Sequence, residues 1–179
     1  MAHYVLGDGR KVAFHSSLLP VADCTFLRSY VETRFIADNA RYIKGKKCFN
    51  GPKYVNFHAN ADMASRISGL LLHHAQLIWP FLTRIDDSIY IVRYDAHVRH
   101  PASDIHRDAL PGKIQALLYL NEEYPGGDIT TFDEQKQVVV REKPKTGSVL
   151  FMPCGVLHQA GEIPGPGNES KYLIVVSFH

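Results

Sequence analysis

Cysteine is scarce and scattered: Cys24, Cys48 and Cys154 are odd in number, far apart and without a CxxC pair. That excludes a disulfide framework, and a cysteine-held structural zinc, as the organising element. Charge of one sign is lacking too. Lys and Arg number 20 against 18 Asp and Glu, a formal balance of +2, far from the basic excess with which phosphate-neutralising proteins gain affinity. Nucleic acid therefore gives no strong signal as a partner. Long apolar runs are also missing: the greasiest stretch, 70–82, is broken by His73, His74, Gln76 and Pro80 and is too short to span a bilayer. Residues 1–14 alternate apolar side chains with Gly, Asp, Arg and Lys, without the continuous apolar segment of a secretory signal. A cytoplasmic protein is expected, a nuclear location staying open, with no membrane partner and no sign of its oligomeric state.

What is present suits one core. At 179 residues and 45% hydrophobic composition, the chain is expected to form a single domain over 1–179, with a helical and strand support region over about 1–85 and a catalytic half over about 86–179. Tyr4 to Ala13 predicts a hairpin around Gly7-Asp8-Gly9. Asp23 is the expected N-cap of a first helix whose apolar face carries Phe26, Leu27, Tyr30, Val31 and Phe35. A second helix is expected over 62–80, with Met63, Ile67, Leu70, Leu71, Leu72 and Ile78 as its apolar positions. Between the two, residues 36–60 carry Arg41, Lys44, Lys46, Lys47 and Lys53 with few acids. That composition reads as a basic loop, either a substrate lid or an ordinary solvated segment. From Ser88 the rhythm changes to short apolar runs at 89–94, 105–108, 114–120, 129–132, 138–141, 149–152, 156–160 and 172–178. Eight short strands are the count of a jelly roll. The expected fold is α+β: a double-stranded β-helix (jelly roll, cupin-like) core with N-terminal bracing helices.

His106-Arg107-Asp108 is the sharpest local feature. Alternate side chains of an extended segment share a face, so the imidazole and the carboxylate point together while Arg107 points away. His158, on a later strand, is the third candidate ligand. Two imidazoles and one carboxylate on one side of a metal leave positions open, the arrangement of oxygen-activating iron(II) and not of a closed structural zinc site. By itself such a triplet is common, and most histidines in a chain of 10 are surface or satisfied core groups.

The text around the triplet is more specific. Tyr94 precedes it; then come Leu118-Tyr119-Leu120-Asn121, Gly126-Gly127-Asp128-Ile129-Thr130-Thr131-Phe132, Pro144-Lys145-Thr146-Gly147-Ser148-Val149-Leu150-Phe151, His158 and Lys171-Tyr172-Leu173. In this order the last half of the chain resembles the prolyl-4-hydroxylase-like branch of the iron(II)/2-oxoglutarate-dependent oxygenase superfamily. The resemblance implies iron(II) held by His106, Asp108 and His158, with 2-oxoglutarate as co-substrate, O2 as oxidant and ascorbate as a possible reductant. It implies that Lys171 binds the distal carboxylate of 2-oxoglutarate, that Tyr119 helps, and that Ile129, Thr131 and Tyr94 line the site. Lys171 also has a physical rationale, since a buried ammonium needs a buried anion. Each position has a plainer reading beside it: a solvent-facing lysine, a core tyrosine, ordinary strand packing, and turn glycines at 126 and 127.

Two features depart from the family's pattern. The segment between His158 and Lys171 is long, the excess lying in Ile163-Pro164-Gly165-Pro166-Gly167-Asn168, although loop length costs little. Residues 95–101 lack the usual glycine-rich spacing and carry His97, Arg99 and His100, which suit substrate-binding or surface roles better than a second metal site. His73 and His74 on the second helix point to different faces. The resemblance implies a dioxygenase that hydroxylates an unactivated C–H bond, with release of succinate and CO2. Asp108 favours hydroxylation over halogenation, which needs that carboxylate absent. A peptide or protein substrate, a peptidyl proline first of all, is expected; a free amino acid or small metabolite is the alternative. Nucleic-acid dealkylation ranks low because no arginine follows Arg141. A non-catalytic metal-binding jelly roll is the rival from another class.

Overall fold

The computed structural model describes residues 1–37, 53–56, 61–85, 89–108 and 112–179. Strands β1 (Ala2–Val5) and β2 (Lys11–His15) pair antiparallel as the expected hairpin, and the Leu6 carbonyl accepts the Gly9 amide across its turn at 2.8 Å. Helix α1 (Val21–Ala37) begins earlier than the sequence suggests, so Asp23 lies in its first turn and not at the N-cap. Pro20 fixes that start: its carbonyl accepts the amides of Asp23 and Cys24, each at 3.1 Å. The Asp23 carboxylate there still opposes the positive end of the helix dipole. Tyr30, expected on the apolar face, packs against the core. Cys24 and Leu27 are buried, whereas Phe26, expected on the apolar face, is 59% exposed.

Strand β3 (Lys53–Asn56) comes from within the segment expected to be a basic loop, and the remainder of that segment, 38–52 and 57–60, lies outside the described residues. Helix α2 (Ala61–Gln76) buries Ile67, Leu71 and Ala75, a four-residue repeat that keeps one stripe inward. It ends short of Pro80, where the Ile78 and Trp79 amides both bond the Ala75 carbonyl. No described helix is long and apolar enough to cross a membrane.

The remaining strands are β4 (Tyr90–Tyr94), β5 (Ile114–Tyr119), β6 (Ile129–Phe132), β7 (Val138–Glu142), β8 (Val149–Pro153), β9 (Leu157–Ala160) and β10 (Lys171–Phe178). They lie within or close to the expected runs except for 105–108, where only His106 makes a ladder bridge. Among the described residues two antiparallel sheets result, a seven-stranded one in the order β1-β2-β8-β5-β10-β4-β3 and a three-stranded one in the order β7-β6-β9. Among the described residues this is a jelly-roll-like arrangement with two helices.

The major sheet is apolar on both faces, which is why β5 and β10 read as continuous apolar runs and not as alternating ones. One face, through Ala116, Leu118, Phe151, Ile174 and Val176, packs on Leu27 of α1 and on Ile67 and Leu71 of α2. The other face, through Phe14, Leu117, Tyr119, Leu150, Met152 and Leu173, packs on Ile129 of the minor sheet. Lys171 and Tyr119 thus enter the space between the two sheets.

Gly147 shows how tightly this frame is closed. Its φ is +77°, and its amide donates to the Tyr119 carbonyl at 2.8 Å while its own carbonyl accepts the Leu18 amide at 2.8 Å. A Cβ there would lie 2.0 Å from the Leu19 carbonyl oxygen. Gly147→Ala is therefore expected to destabilise the protein by about 2 kcal/mol or more, read as a lower urea midpoint at unchanged m-value.

Candidate metal centre

The site is built on the register of the minor sheet. In the β6–β9 pair Thr131 stands opposite His158, and His158 in turn exchanges both backbone hydrogen bonds with His106, at 3.0 and 2.9 Å. Directly paired residues of antiparallel strands project to the same side. Thr131, His158 and His106 therefore form a row, and the imidazole centroids of the last two are 4.4 Å apart. Asp108, two residues beyond His106, returns to the same face, and its amide is tied to the Cys154 carbonyl at 3.0 Å.

The ligand atoms converge. His106 Nε2 is 3.9 Å from Asp108 Oδ1, and His158 Nε2 is 3.9 Å from Asp108 Oδ2. One ligand atom from each of the three residues can be chosen so that all lie within 4.8 Å of one another. The other ring nitrogens are already engaged: His106 Nδ1 meets the Asp104 carbonyl at 2.7 Å and His158 Nδ1 meets the Val156 carbonyl at 3.0 Å. A carbonyl can only accept, so each Nδ1 carries its proton and each Nε2 presents a lone pair toward the common point. Burial pushes the His158 imidazole below its usual pKa, against the opposing pull of the Val156 carbonyl and Asp108. The donor set fits a divalent metal bound on one side with positions left open.

Arg107 points the opposite way, as expected from the alternation. It donates to the Gly155 carbonyl at 2.8 Å and to Glu134, which also receives Arg10 from the β1–β2 hairpin. These two arginines hold the Glu134 carboxyl below the usual range, Arg107 contributing most. The cluster ties the hairpin, the β6–β7 turn and the triplet together on the surface.

A second group of polar residues gathers around Lys171, which is 4% exposed. It stands opposite Tyr94 in the β10–β4 pair, and its Nζ donates to the Gly127 carbonyl at 2.9 Å. That Nζ sits 5.5, 5.2 and 5.3 Å from the ring centroids of Tyr94, Tyr119 and Tyr124. Among the described residues no carboxylate comes within ion-pair distance of it. Burial, helped by the like charge of Lys143 and opposed by Asp128, pushes the ammonium down to about 7. Two buried oxygens, Thr131 Oγ1 and the Tyr124 hydroxyl, have no hydrogen-bond partner. A buried cation without an anion and buried donors without acceptors fit an anionic, oxygen-rich ligand.

The long 163–170 segment does not displace Lys171. It is pinned to residues 96–100 through the paired backbone bonds of His100 and Ile163, at 3.0 and 2.9 Å, and through the Ser170 hydroxyl, which accepts the Ala96 amide at 3.0 Å. His100 is buried with Nε2 at 3.1 Å from the Asp95 carbonyl, whereas His97 is exposed. Ile129 is buried in the packing between the sheets.

Tyr124 and the Gly127 carbonyl were missed by sequence reasoning. The signal was Gly127 itself, whose φ is +70° and whose added Cβ would lie 2.9 Å from Tyr124 Cε2 and 3.3 Å from Lys171 Nζ. The second glycine serves close approach as well as a turn. A groove of about 420 Å³ lined by Glu122, Glu123, Tyr124, Pro125, Pro166, Gly167 and Asn168 shares Tyr124 with the lysine chamber and contains none of the triad.

No family model and no curated protein matches the sequence. Solved structures do match. A Pseudomonas putida prolyl-4-hydroxylase superposes with a TM-score of 0.69 at 16% identity, covering 96% of this chain and 94% of that one. The non-heme alpha-ketoglutarate-dependent epimerase SnoN of nogalamycin biosynthesis gives 0.75 at 13% identity, covering 93% and 77%. A Trichoplax adhaerens prolyl hydroxylase, solved with a peptide fragment of the hypoxia inducible factor oxygen degradation domain, gives 0.68 at 14% identity, covering 93% and 82%. The chain has the fold shared by these prolyl-4-hydroxylase-like and alpha-ketoglutarate-dependent proteins.

Proposed function

We propose that this chain is an iron(II)- and 2-oxoglutarate-dependent dioxygenase with a double-stranded β-helix core, and that it hydroxylates an unactivated C–H bond of a peptidyl proline. The observation that carries this reading is the pairing of an open His106/Asp108/His158 set with a buried Lys171 that has no carboxylate partner among the described residues. One half suits a metal, the other a dicarboxylic acid.

Bound iron(II), 2-oxoglutarate and O2 together supply the oxidising chemistry, with succinate and CO2 as co-products. The chain's own share is positional. Nε2 of His106, Nε2 of His158 and a carboxylate oxygen of Asp108 would hold the metal, their orientation set by the Asp104 and Val156 carbonyls and by the Asp108 amide bond. Lys171 would hold the distal carboxylate of the co-substrate, with Tyr119 and Tyr94 beside it. Apolar residues between the sheets, Leu117, Ile129, Leu150 and Leu173, keep water from the space around that ion pair.

The deciding experiment is an anaerobic titration of metal-free protein with iron(II) and then 2-oxoglutarate, followed by a turnover assay for succinate with proline-containing peptides. A visible charge-transfer band and peptide-dependent succinate support the whole reading. Bound iron without a band, and without succinate, would favour a non-catalytic metal-binding jelly roll. A small-molecule substrate is a second reading, favoured by the superposition on SnoN at a TM-score of 0.75; a band with no response to any peptide would direct the search there.

Thr131 offers a separate check, since it stands beside His158 with its hydroxyl buried and unpaired. Thr131→Val removes an unsatisfied group, so the ligand-free protein is expected to keep its stability or gain up to about 1 kcal/mol. Affinity for 2-oxoglutarate, measured by calorimetry, is expected to fall by about fivefold if the hydroxyl bonds the co-substrate.

A further inference from the structure

We propose that Tyr124 is a further hydrogen-bond donor to the distal carboxylate of a 2-oxo dicarboxylic acid, acting beside Lys171 and Tyr119. The inference rests on the functional reading above and extends it to a residue outside the motif resemblance.

Four observations carry it. The Tyr124 side chain is 2% exposed and its hydroxyl is buried without a partner, a situation that is unfavourable until an acceptor arrives. Its ring lies against the cation that needs the anion, with Lys171 Nζ 5.3 Å from the centroid and the glycine-only space of residue 127 between them. The ring is also held in place: Lys143 Nζ lies 3.9 Å over its centroid and donates to the Tyr124 carbonyl at 2.8 Å and to the Gly126 carbonyl. Finally, the rings of Tyr94 and Tyr119 stand around the same Nζ, at 5.5 and 5.2 Å from their centroids, so the three tyrosines gather at one point. Burial raises the pKa of the Tyr124 phenol, which therefore stays a protonated donor at neutral pH. A carboxylate offers about four acceptor sites, enough for the ammonium and a phenol together.

The test separates the distal carboxylate from the rest of the molecule. Iron(II)-loaded wild-type and Tyr124→Phe proteins are titrated anaerobically by calorimetry with 2-oxoglutarate and with 2-oxobutyrate, which keeps the chelating 2-oxo acid end and lacks the second carboxylate. The expected result is a loss of about tenfold for 2-oxoglutarate and less than about twofold for 2-oxobutyrate, one hydrogen bond to a charged group being worth at least that factor. Ligand-free Tyr124→Phe is expected to melt at or above the wild-type temperature. Equal losses for both acids, or none for either, would overturn the inference while leaving the functional reading standing. A lower melting temperature would mean that the hydroxyl already has a structural partner and would overturn it as well. Wild-type protein that binds no 2-oxoglutarate would overturn both.

Discussion

His158→Ala is expected to weaken iron(II) binding by more than about 100-fold, since loss of an outer-sphere partner alone commonly costs 10- to 100-fold. The expected size follows from how the residue is placed. His158 is only 6% exposed, exchanges both of its backbone hydrogen bonds with His106 while standing opposite Thr131 on its other side, and has its Nδ1 committed to the Val156 carbonyl. Among the described residues, His106 and Asp108 are the ones that join it in a metal-holding group. His106 is more exposed and lies on a segment with a single ladder bridge, so His106→Ala is expected to fall short of the His158 effect. Anaerobic calorimetry with iron(II) reads both, and an unchanged affinity in His158→Ala would remove the metal assignment altogether. Folding should survive, because the lost ring leaves a polar, metal-sized gap and not a void in the apolar layers.

Lys171→Met is expected to change two quantities in opposite directions. Binding of 2-oxoglutarate should fall by about 30-fold to several thousand-fold, the range for removing one partner of a buried charged pair, about 2–5 kcal/mol. Stability of the ligand-free protein should rise, because methionine fills a similar volume without leaving a cation among three tyrosine rings. The pH dependence identifies the cause. With the folded-state pKa lowered by burial to about 7 from the ordinary 10.5 of a lysine, the unfolded chain binds more protons than the folded one between those two values. Wild-type stability should therefore climb as pH rises through that window. The advantage of Lys171→Met should be greatest below pH 7 and fade toward pH 10. Chemical denaturation at pH 6 and pH 9.5 measures it; an advantage of equal size at both would mean that burial does not depress the lysine's pKa, and a loss of stability in Lys171→Met would mean that the lysine pairs with a carboxylate in the ligand-free protein.

The sequence carried the site better than it carried the boundaries around it. Alternation put His106 and Asp108 on one face because an extended segment projects side chains with period two whether or not it is a full strand. The 105–108 run was expected to be a strand and is one bridge, yet the pair still converges. Helix α1 was less legible: Leu27 and Tyr30 face the core as expected, but Cys24 joins them, Phe26 at the edge of that face is exposed, and Pro20 starts the helix before Asp23. Tyr124 escaped notice because its meaning depends on Lys171, far along the chain, and on the missing Cβ of Gly127, neither of which a local pattern reports. The basic character of residues 36–60 hid β3, since Lys53–Asn56 gains its conformation from pairing with β4.

The seam between β2 and β8, where Ala13 meets Phe151 and Phe14 meets Leu150, has a consequence for how the protein comes into being. Strand β2 has no partner in the major sheet except its hairpin mate until the chain has been made through β8, so the N-terminal hairpin must wait unprotected for most of synthesis. Contacts this distant in sequence slow folding, since the intervening chain is confined before any reward is gained. The third ligand, His158, lies beyond that seam. A nascent chain therefore assembles its sheet and brings its candidate ligand triad together in the same late interval, so the three side chains meet only on a nearly finished protein.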